Sequence, residues 1–533
     1  MARNASSPLA RSAGAIGAAT LTSRILGLVR DQVLAYYFGA GDAMDAFRIA
    51  FRLPNVLRDL FAEGAMSAAL VPTFARAVAS GGKPRAWQVG NNVINLMIAV
   101  TSVFVLAGIM FASPLVKLYA GDFSRVPGKL ELTIALTRLM FPFLTMVTVA
   151  AVAMGMLNAV HRFFIPALSP AMFNIGTIVC ALLLVPLAPR LGFMPIAAVA
   201  VGTLIGGAGQ VLLQWPALRR EGFRYAPSLD LRDEGLRQIV RLMGPGIAGL
   251  AAVQVNLFIN SWLATSLGTG AVSWLDYAFR LMYMPIGLFG ISIATATLPR
   301  ISGHAALNDI AGVRQSVSSG LRMMMMLNVP ATAGLVALAL PIVTLIYEHG
   351  RFTHADTIAT AAALMCYAPG LVGYSAVKLV SPAFYALGTS RVPVAASAAS
   401  VGVNIVLNLA LIRVIGHAGL ALGTAMATLF NAAILLWLLR IRLSGIDGGR
   451  LLTALSKITI ASVVMAAAAY EAERVLHIPF EGARLWVQAV RVFGAIGVGL
   501  AVLAAAAQLL RIREFTDSVR VITDRLKQDS SPI

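Results

Sequence analysis

Long apolar runs, separated by short polar ones, set the pattern of this chain. A membrane-spanning helix needs about 20 mainly apolar residues. Fourteen stretches fit: 14–39, 46–75, 90–115, 132–158, 164–188, 193–216, 239–266, 271–299, 315–347, 357–386, 392–413, 418–439, 453–472 and 486–510. The pattern predicts an all-α membrane protein of about 14 transmembrane helices. The first, second and eighth stretches are the polar ones. Gly27, Pro54, Gly64 and Pro285 interrupt them. Such breaks serve either packing or bending between two conformations.

The apolar pattern also repeats. At an offset of 227 residues, Pro72 matches Pro299, Pro142 matches Pro369, Ala159 matches Ala386 and Pro166 matches Pro393. With one residue of slippage, AFRIAFRLPN aligns with LDYAFRLMYMP and pairs Arg52 with Arg280. Two six-helix lobes follow, 1–220 and 221–445, with helices 13 and 14 added at 446–512 and a charged tail at 513–533. An even number of spans per lobe inserts both the same way round, as a parallel repeat. Substrate in such folds sits near the midplane between the lobes.

Composition narrows the class. The chain is 58% hydrophobic and only 12% charged, which excludes an ordinary soluble domain. A net charge of +19 would suggest nucleic acid in a soluble protein. Here it reads as basic cytoplasmic loops, and no RNA-binding or zinc motif accompanies it. Even-numbered loops carry about twice the Lys and Arg of odd-numbered ones, which places both termini in the cytoplasm. The N-terminus lacks a long apolar core followed by a cleavage site, so the first helix is expected to insert uncleaved. Cys180 and Cys366 lie in apolar stretches and imply neither disulfide nor metal.

Charges inside the first two helices carry the functional signal. Arg24, Arg30, Asp31, Asp45, Arg48, Arg52, Arg58, Asp59 and Glu63 all fall there. A charged side chain at the bilayer centre costs about 2.5–3.5 kcal/mol on insertion scales, so these must face protein or water. The spacings Arg24 to Asp31 and Arg52 to Asp59 place each pair on one helix face, two turns apart. Guanidinium is the preferred fork for phosphate or carboxylate. Arg24, Arg30, Arg52, Arg58 and Arg280 are therefore the candidate substrate-binding set. The repeat places Arg280 opposite the others across a water-filled cavity. The alternative is that each arginine snorkels or pairs with a nearby acid. That alternative is the expectation for Arg48, taken to lie near a helix end. Asp31, Asp45, Asp59 and Glu63 are candidate gating or ion-pair residues, Asp45 alternatively a solvated cap.

Asn256, Asn260, Asn404, Asn408 and Thr424 form a second polar set. They could hold a monovalent cation or make interhelical hydrogen bonds. Met323–Met326 reads as lipid-facing or core filler. There is no Walker A motif, no GxSxG and no ATP-binding domain. The expectation is no cofactor and no metal, with energy from an ion gradient, the membrane potential or substrate consumption on the far side.

The stretches SRILGLVRD, FGAGDAMDAF, FRLPNVLRDLFAEGAMSAALVPTF and YAFRLMYMPIGLFGISIATATLPRIS resemble the MurJ (MviN) family, within the multidrug, oligosaccharidyl-lipid and polysaccharide exporter superfamily. The resemblance covers nearly the whole chain, including the two extra helices. It implies a lipid II flippase of the bacterial inner membrane, a transporter and not an enzyme. Its load would be undecaprenyl-pyrophosphate carrying the peptidoglycan precursor, moved outward by alternating access. It also implies functional roles for Arg24, Arg30, Arg58, Arg280 and Asp45, and a lipid-tail groove at helices 13 and 14. Implied partners are lipid II, membrane lipids and peptidoglycan-synthesis proteins, with a monomer expected and no nucleic acid. Phe279 stands where some members carry an acid, and amides replace the acids of a sodium site, which puts that site in doubt. A related exporter of the superfamily, usually with twelve helices, and a membrane glycosyltransferase, which needs a catalytic acid in a large external loop, are the alternatives.

Overall fold

The computed structural model describes residues 6–61, 65–477 and 484–516. Glu63, and the charged tail beyond residue 516, lie outside the described residues. Every described element is helical, and the chain packs as two compact units. Unit 1 is Met1–Ser273 with Gly350–Phe352, and unit 2 is Trp274–His349 with Thr353–Ile533.

Unit 1 holds α1 (Ser6–Phe38), α2 (Asp42–Phe61), α3 (Ala65–Met110), α4 (Ala112–Ala120), α5 (Lys129–Met140), α6 (Phe143–Ala159), α7 (Phe164–Leu184), α8 (Ala188–Leu191), α9 (Pro195–Arg220) and α10 (Glu234–Thr265). α11 (Ala271–Pro285) leads into unit 2. There follow α12 (Ile291–Ala306), α13 (Ile310–Ala337), α14 (Ala339–Tyr347), α15 (His354–Tyr367), α16 (Gly370–Ala386), α17 (Arg391–Ile415), α18 (His417–Arg442), α19 (Gly448–His477) and α20 (Leu485–Leu509). In their described residues the fourteen apolar stretches are helical, several as bent or broken pairs. Nine helices among the described residues are long and apolar enough to cross a membrane, ten if the pair α15–α16, bent by 43°, counts as one. Among the described residues, the first and second stretches fall short because Arg and Asp dilute their apolar runs, and the eighth because it breaks after Pro285 into two helices of 15 and 16 residues.

The breaks have local causes. Gly82 takes φ 68°, a left-handed value that side chains rarely adopt, and divides α3 between the second and third stretches. Pro142 and Pro369 stand at the break before α6 and α16, where a missing N–H does no harm. Asp233 and Asp309 cap α10 and α13 by accepting from the N–H of Leu236 and Gly312. A π-turn, Ile286–Gly290, follows Pro285 and separates α11 from α12.

These boundaries repeat. α4 and α14 begin and end 227 residues apart, at 112 and 339 and at 120 and 347. The same offset carries both ends of α6 onto α16, the end of α1 onto that of α10, and the start of α7 onto that of α17. The kink at Gly82 maps onto Asp309, the cap between α12 and α13.

Within unit 1, α7 packs along α9 and α1, α3 along α6, and α10 along α3. A Cβ on Gly176 or Gly206 would strike the facing backbone, so small residues set the close approach of α7 and α9. Leu70, Phe74, Trp87, Met156 and Phe223 fill a core among α3, α6 and the segment after α9. In unit 2, α17 pairs with α18, and α19 lies along α13 and α20. Met326 of α13 joins Ile458, Met465 and Ala507 there in a small apolar core.

Candidate functional site

The polar face of α1 and α2 is built on adjacent arginine–aspartate pairs. Arg30 donates to Asp31 Oδ1 through Nε at 3.2 Å and Nη2 at 2.9 Å. Its guanidinium lies 5.1 Å from the centre of the Phe173 ring. Arg48 Nη2 approaches the same oxygen at 3.8 Å. Arg58 repeats the first arrangement with Asp59, at 3.1 and 2.7 Å. Gln254 of α10 donates to the other oxygen of Asp59 at 3.4 Å. Arg52 donates to the Ser261 hydroxyl, also on α10. The seven-residue spacings therefore do not form the pairs. Asp31 turns to Arg30 and Arg48, and Asp59 to Arg58.

Arg48 and Arg24 differ in their partners: Arg48 meets an acid, as expected of it, though not at a helix end, and Arg24 meets none among the described residues. The Arg48 side chain is only 9% exposed and reaches Asp31. Arg24 is half-buried in the middle of α1, and among the described residues it has no hydrogen-bond or carboxylate partner. Beside it, Asn174 donates to the Ser23 carbonyl at 3.0 Å and closes α1 against α7.

Asp45 is the best-coordinated carboxylate of unit 1. It is fully buried in the first turn of α2. Lys129 Nζ donates to it at 2.9 Å and reaches Asp42 at 2.8 Å. The backbone N–H of Gly270 and Ser273 donate at 2.8 and 3.1 Å, and the Ser273 hydroxyl at 2.7 Å. Thr269 donates to Asp42 at 2.6 Å. Asp45 is thus no solvated cap. It ties the starts of α2 and α5 to Gly270 in the loop after α10 and to Ser273 at the start of α11. Sequence reasoning missed Lys129, Thr269 and Ser273.

At the other end of unit 1, Glu221 accepts from Lys83 at 2.9 Å and from Arg162 at 2.7 Å, and Arg85 pairs with Asp233 at 2.6 Å. The two hydrogen bonds hold the Glu221 carboxyl below the ordinary carboxylate range. These residues all come from even-numbered loops, whereas the Asp45 cluster joins odd-numbered ones. The two ends of unit 1 therefore sort the loops by parity, as alternating spans require.

In unit 2, Arg280 Nη2 lies 3.6 Å from Asp276, one turn earlier on α11. Phe279 packs its ring against Tyr283, Tyr367 and Tyr374. Asn404 and Asn408 are buried on α17. Asn408 donates to Asn404 at 3.0 Å, and Asn404 to Thr424 of α18 at 3.3 Å. This is a polar clasp between two helices. Asn256 and Asn260 belong to α10 in unit 1, so the five do not form one cluster within either unit.

Comparison with known proteins gives one answer. The family model described as "Lipid II flippase MurJ" matches residues 34–485. A probable lipid II flippase MurJ of Vibrio cholerae is 34% identical over 427 residues, 79% of this chain and 81% of that protein. One from Bdellovibrio bacteriovorus is 32% identical over 507 residues, covering 94% and 96%. A solved lipid II flippase MurJ in an inward closed conformation superposes with a TM-score of 0.75 at 25% identity, over 93% of this chain and 99% of that one. An inward-facing multidrug transporter of the MATE family shares the fold alone, with a TM-score of 0.67 at 15% identity, over 80% and 96%. With nearly all of its length matched, the chain belongs to the MurJ family of lipid II flippases.

Proposed function

We propose that this chain carries lipid II from the cytoplasmic to the periplasmic leaflet by alternating access, with Arg24, Arg30, Arg58 and Arg280 receiving the pyrophosphate and Arg52 assisting. The observation that carries the reading is Arg24: a half-buried guanidinium inside a membrane helix with no partner among the described residues. Such a charge is expensive unless an anion or water meets it. Where water is scarce, its attraction for a diphosphate is least screened. Between residues 24 and 59 the chain carries five arginines and four aspartates, and Lys129 engages two of those aspartates. The remaining balance is positive, which suits an anionic load.

Asp45 with Lys129 acts in this reading as the latch of the periplasmic end, and Asp31 and Asp59 hold their arginines in aim. Helices α19 and α20 hold the lipid tail. Both termini lie in the cytoplasm, energy comes from an ion gradient or the membrane potential without ATP, and the chain works as a monomer beside peptidoglycan-synthesis proteins. The Asn404–Asn408–Thr424 clasp serves packing. The test is depletion of the protein with leaflet-resolved labelling of lipid II. Lipid II should accumulate on the cytoplasmic side and return outward with the wild-type chain but not with Arg24→Ala. Normal outward labelling in depleted cells would remove the reading.

A further inference from the structure

A pocket of about 440 Å³ opens at one end of unit 2, where the first turn of α19, the end of α20 and the middle of α13 meet. We propose that it binds a phosphate-bearing anion, either the headgroup of an anionic phospholipid or a free phosphate. Its charged lining is Arg322, Arg450, Lys457, Arg511, Arg513 and Glu514, five cations to one carboxylate. Two of the cations are engaged. Arg322 Nε sits 3.1 Å from Glu514, and Lys457 Nζ donates to the Leu510 carbonyl at 2.9 Å. Arg450, Arg511 and Arg513 have no ion pair among the described residues.

The plainer account is that cations gather at a helix C-terminus because the carbonyl end is negative. That covers Lys457, and it would cover Arg511 and Arg513 just past α20. It does not cover Arg450, in the first turn of α19, where the helix dipole repels a cation and attracts an anion. It also fails to explain why Arg511 occupies the left-handed position after α20, at φ 49°, with the Ile512 N–H bonded back to the Ala507 carbonyl. Glycine is the usual residue there. Three arginines around a cavity much larger than one water's share of about 30 Å³ make a basic pocket at helix ends, the depth at which phospholipid phosphates lie. Guanidinium forks suit phosphate oxygens, two at a time. The site shares no residue with the arginines of α1, α2 and α11.

The experiment uses the full chain in nanodiscs and the triple variant R450Q/R511Q/R513Q. In one arm the discs mix phosphatidylglycerol with phosphatidylcholine, and retained lipid is counted by native mass spectrometry. In the other the discs are phosphatidylcholine alone, inorganic phosphate is titrated, and Tm is read. Arginine-dependent retention of phosphatidylglycerol, falling about fivefold per arginine neutralised, supports a headgroup site. A rise in Tm with inorganic phosphate in the wild type but not the variant, without lipid preference, supports a soluble phosphate site. Equal retention of both lipids together with an unmoved Tm overturns the proposal, as does a variant indistinguishable from wild type in both arms. Should the variant fail to fold, the lipid preference and phosphate response of the wild type decide alone.

Discussion

Lys129 and Asp45, 84 residues apart in sequence, meet at 2.9 Å with both side chains removed from solvent. Removing one partner of a buried pair strands the other charge, a loss of about 3–5 kcal/mol. Lys129→Ala should therefore lower Tm in detergent sharply, and Asp45→Asn should do the same. The double variant Lys129→Ala with Asp45→Asn should lose clearly less than the two single losses added. Simple additivity would mean that the two groups do not act on one another.

Arg24 and Arg30 separate binding from support. Arg30→Ala strands the buried Asp31 and should reduce both stability and complementation. Arg24→Ala strands nothing in the protein. It should abolish complementation at normal membrane level and leave Tm unchanged to within about 0.5 kcal/mol of stability. Arg24→Lys should recover function in part, since lysine keeps the charge but not the fork. Arg48→Ala, given its contact with Asp31, should behave like Arg30→Ala in the unfolding assay. A large Tm loss with Arg24→Ala would assign Arg24 to packing instead.

The Glu221 clasp predicts a pH effect with a defined sign. Its folded-state pKa lies below the unfolded value, so its contribution is full above the ordinary carboxylate range. The contribution disappears as pH falls through the folded value. Wild type should melt slightly above Glu221→Gln at neutral pH, and the gap should close in acid. The effect is small because the cluster is mostly exposed. A gap that widens in acid would contradict the arrangement.

Helices α19 and α20 meet the rest of unit 2 mainly along α13 and α14. In lipid, an uncovered apolar face of α13 meets acyl chains of similar polarity, so little drives collapse. Truncation after Arg450 should leave an inserted, folded chain that fails to complement. Full complementation would remove the tail-holding role.

The fold was largely legible because the signal for spanning helices is long and redundant. The repeat could be read from four residue matches and is written again in the helix ends, since the same prolines and caps stop the same helices. The pairing of charges was less legible. Asp276 stands four residues before Arg280, a spacing that announces a helical ion pair, and it went unread. Lys129 offered no such signal. In sequence it resembles Lys117 and Arg125, other cations of odd-numbered loops, yet Arg125 pairs in the open with Asp122 while Lys129 is buried. Only the packing of α5 beside α2 distinguishes them.

The placement of α10 bears on how the chain is made. By the repeat it opens the second half, yet it packs along α3 in unit 1. A nascent chain that has emerged only as far as Asp233 contains Lys129 and Asp45 but lacks Gly270 and Ser273, which complete the carboxylate's hydrogen bonds. It also lacks Ser261 and Gln254 for Arg52 and Asp59. Unit 1 thus closes only after synthesis has passed residue 352, since the Arg351 N–H bonds the Tyr36 carbonyl at 2.9 Å. Until then the insertion machinery must shelter a half-built bundle with buried charges still waiting for their partners.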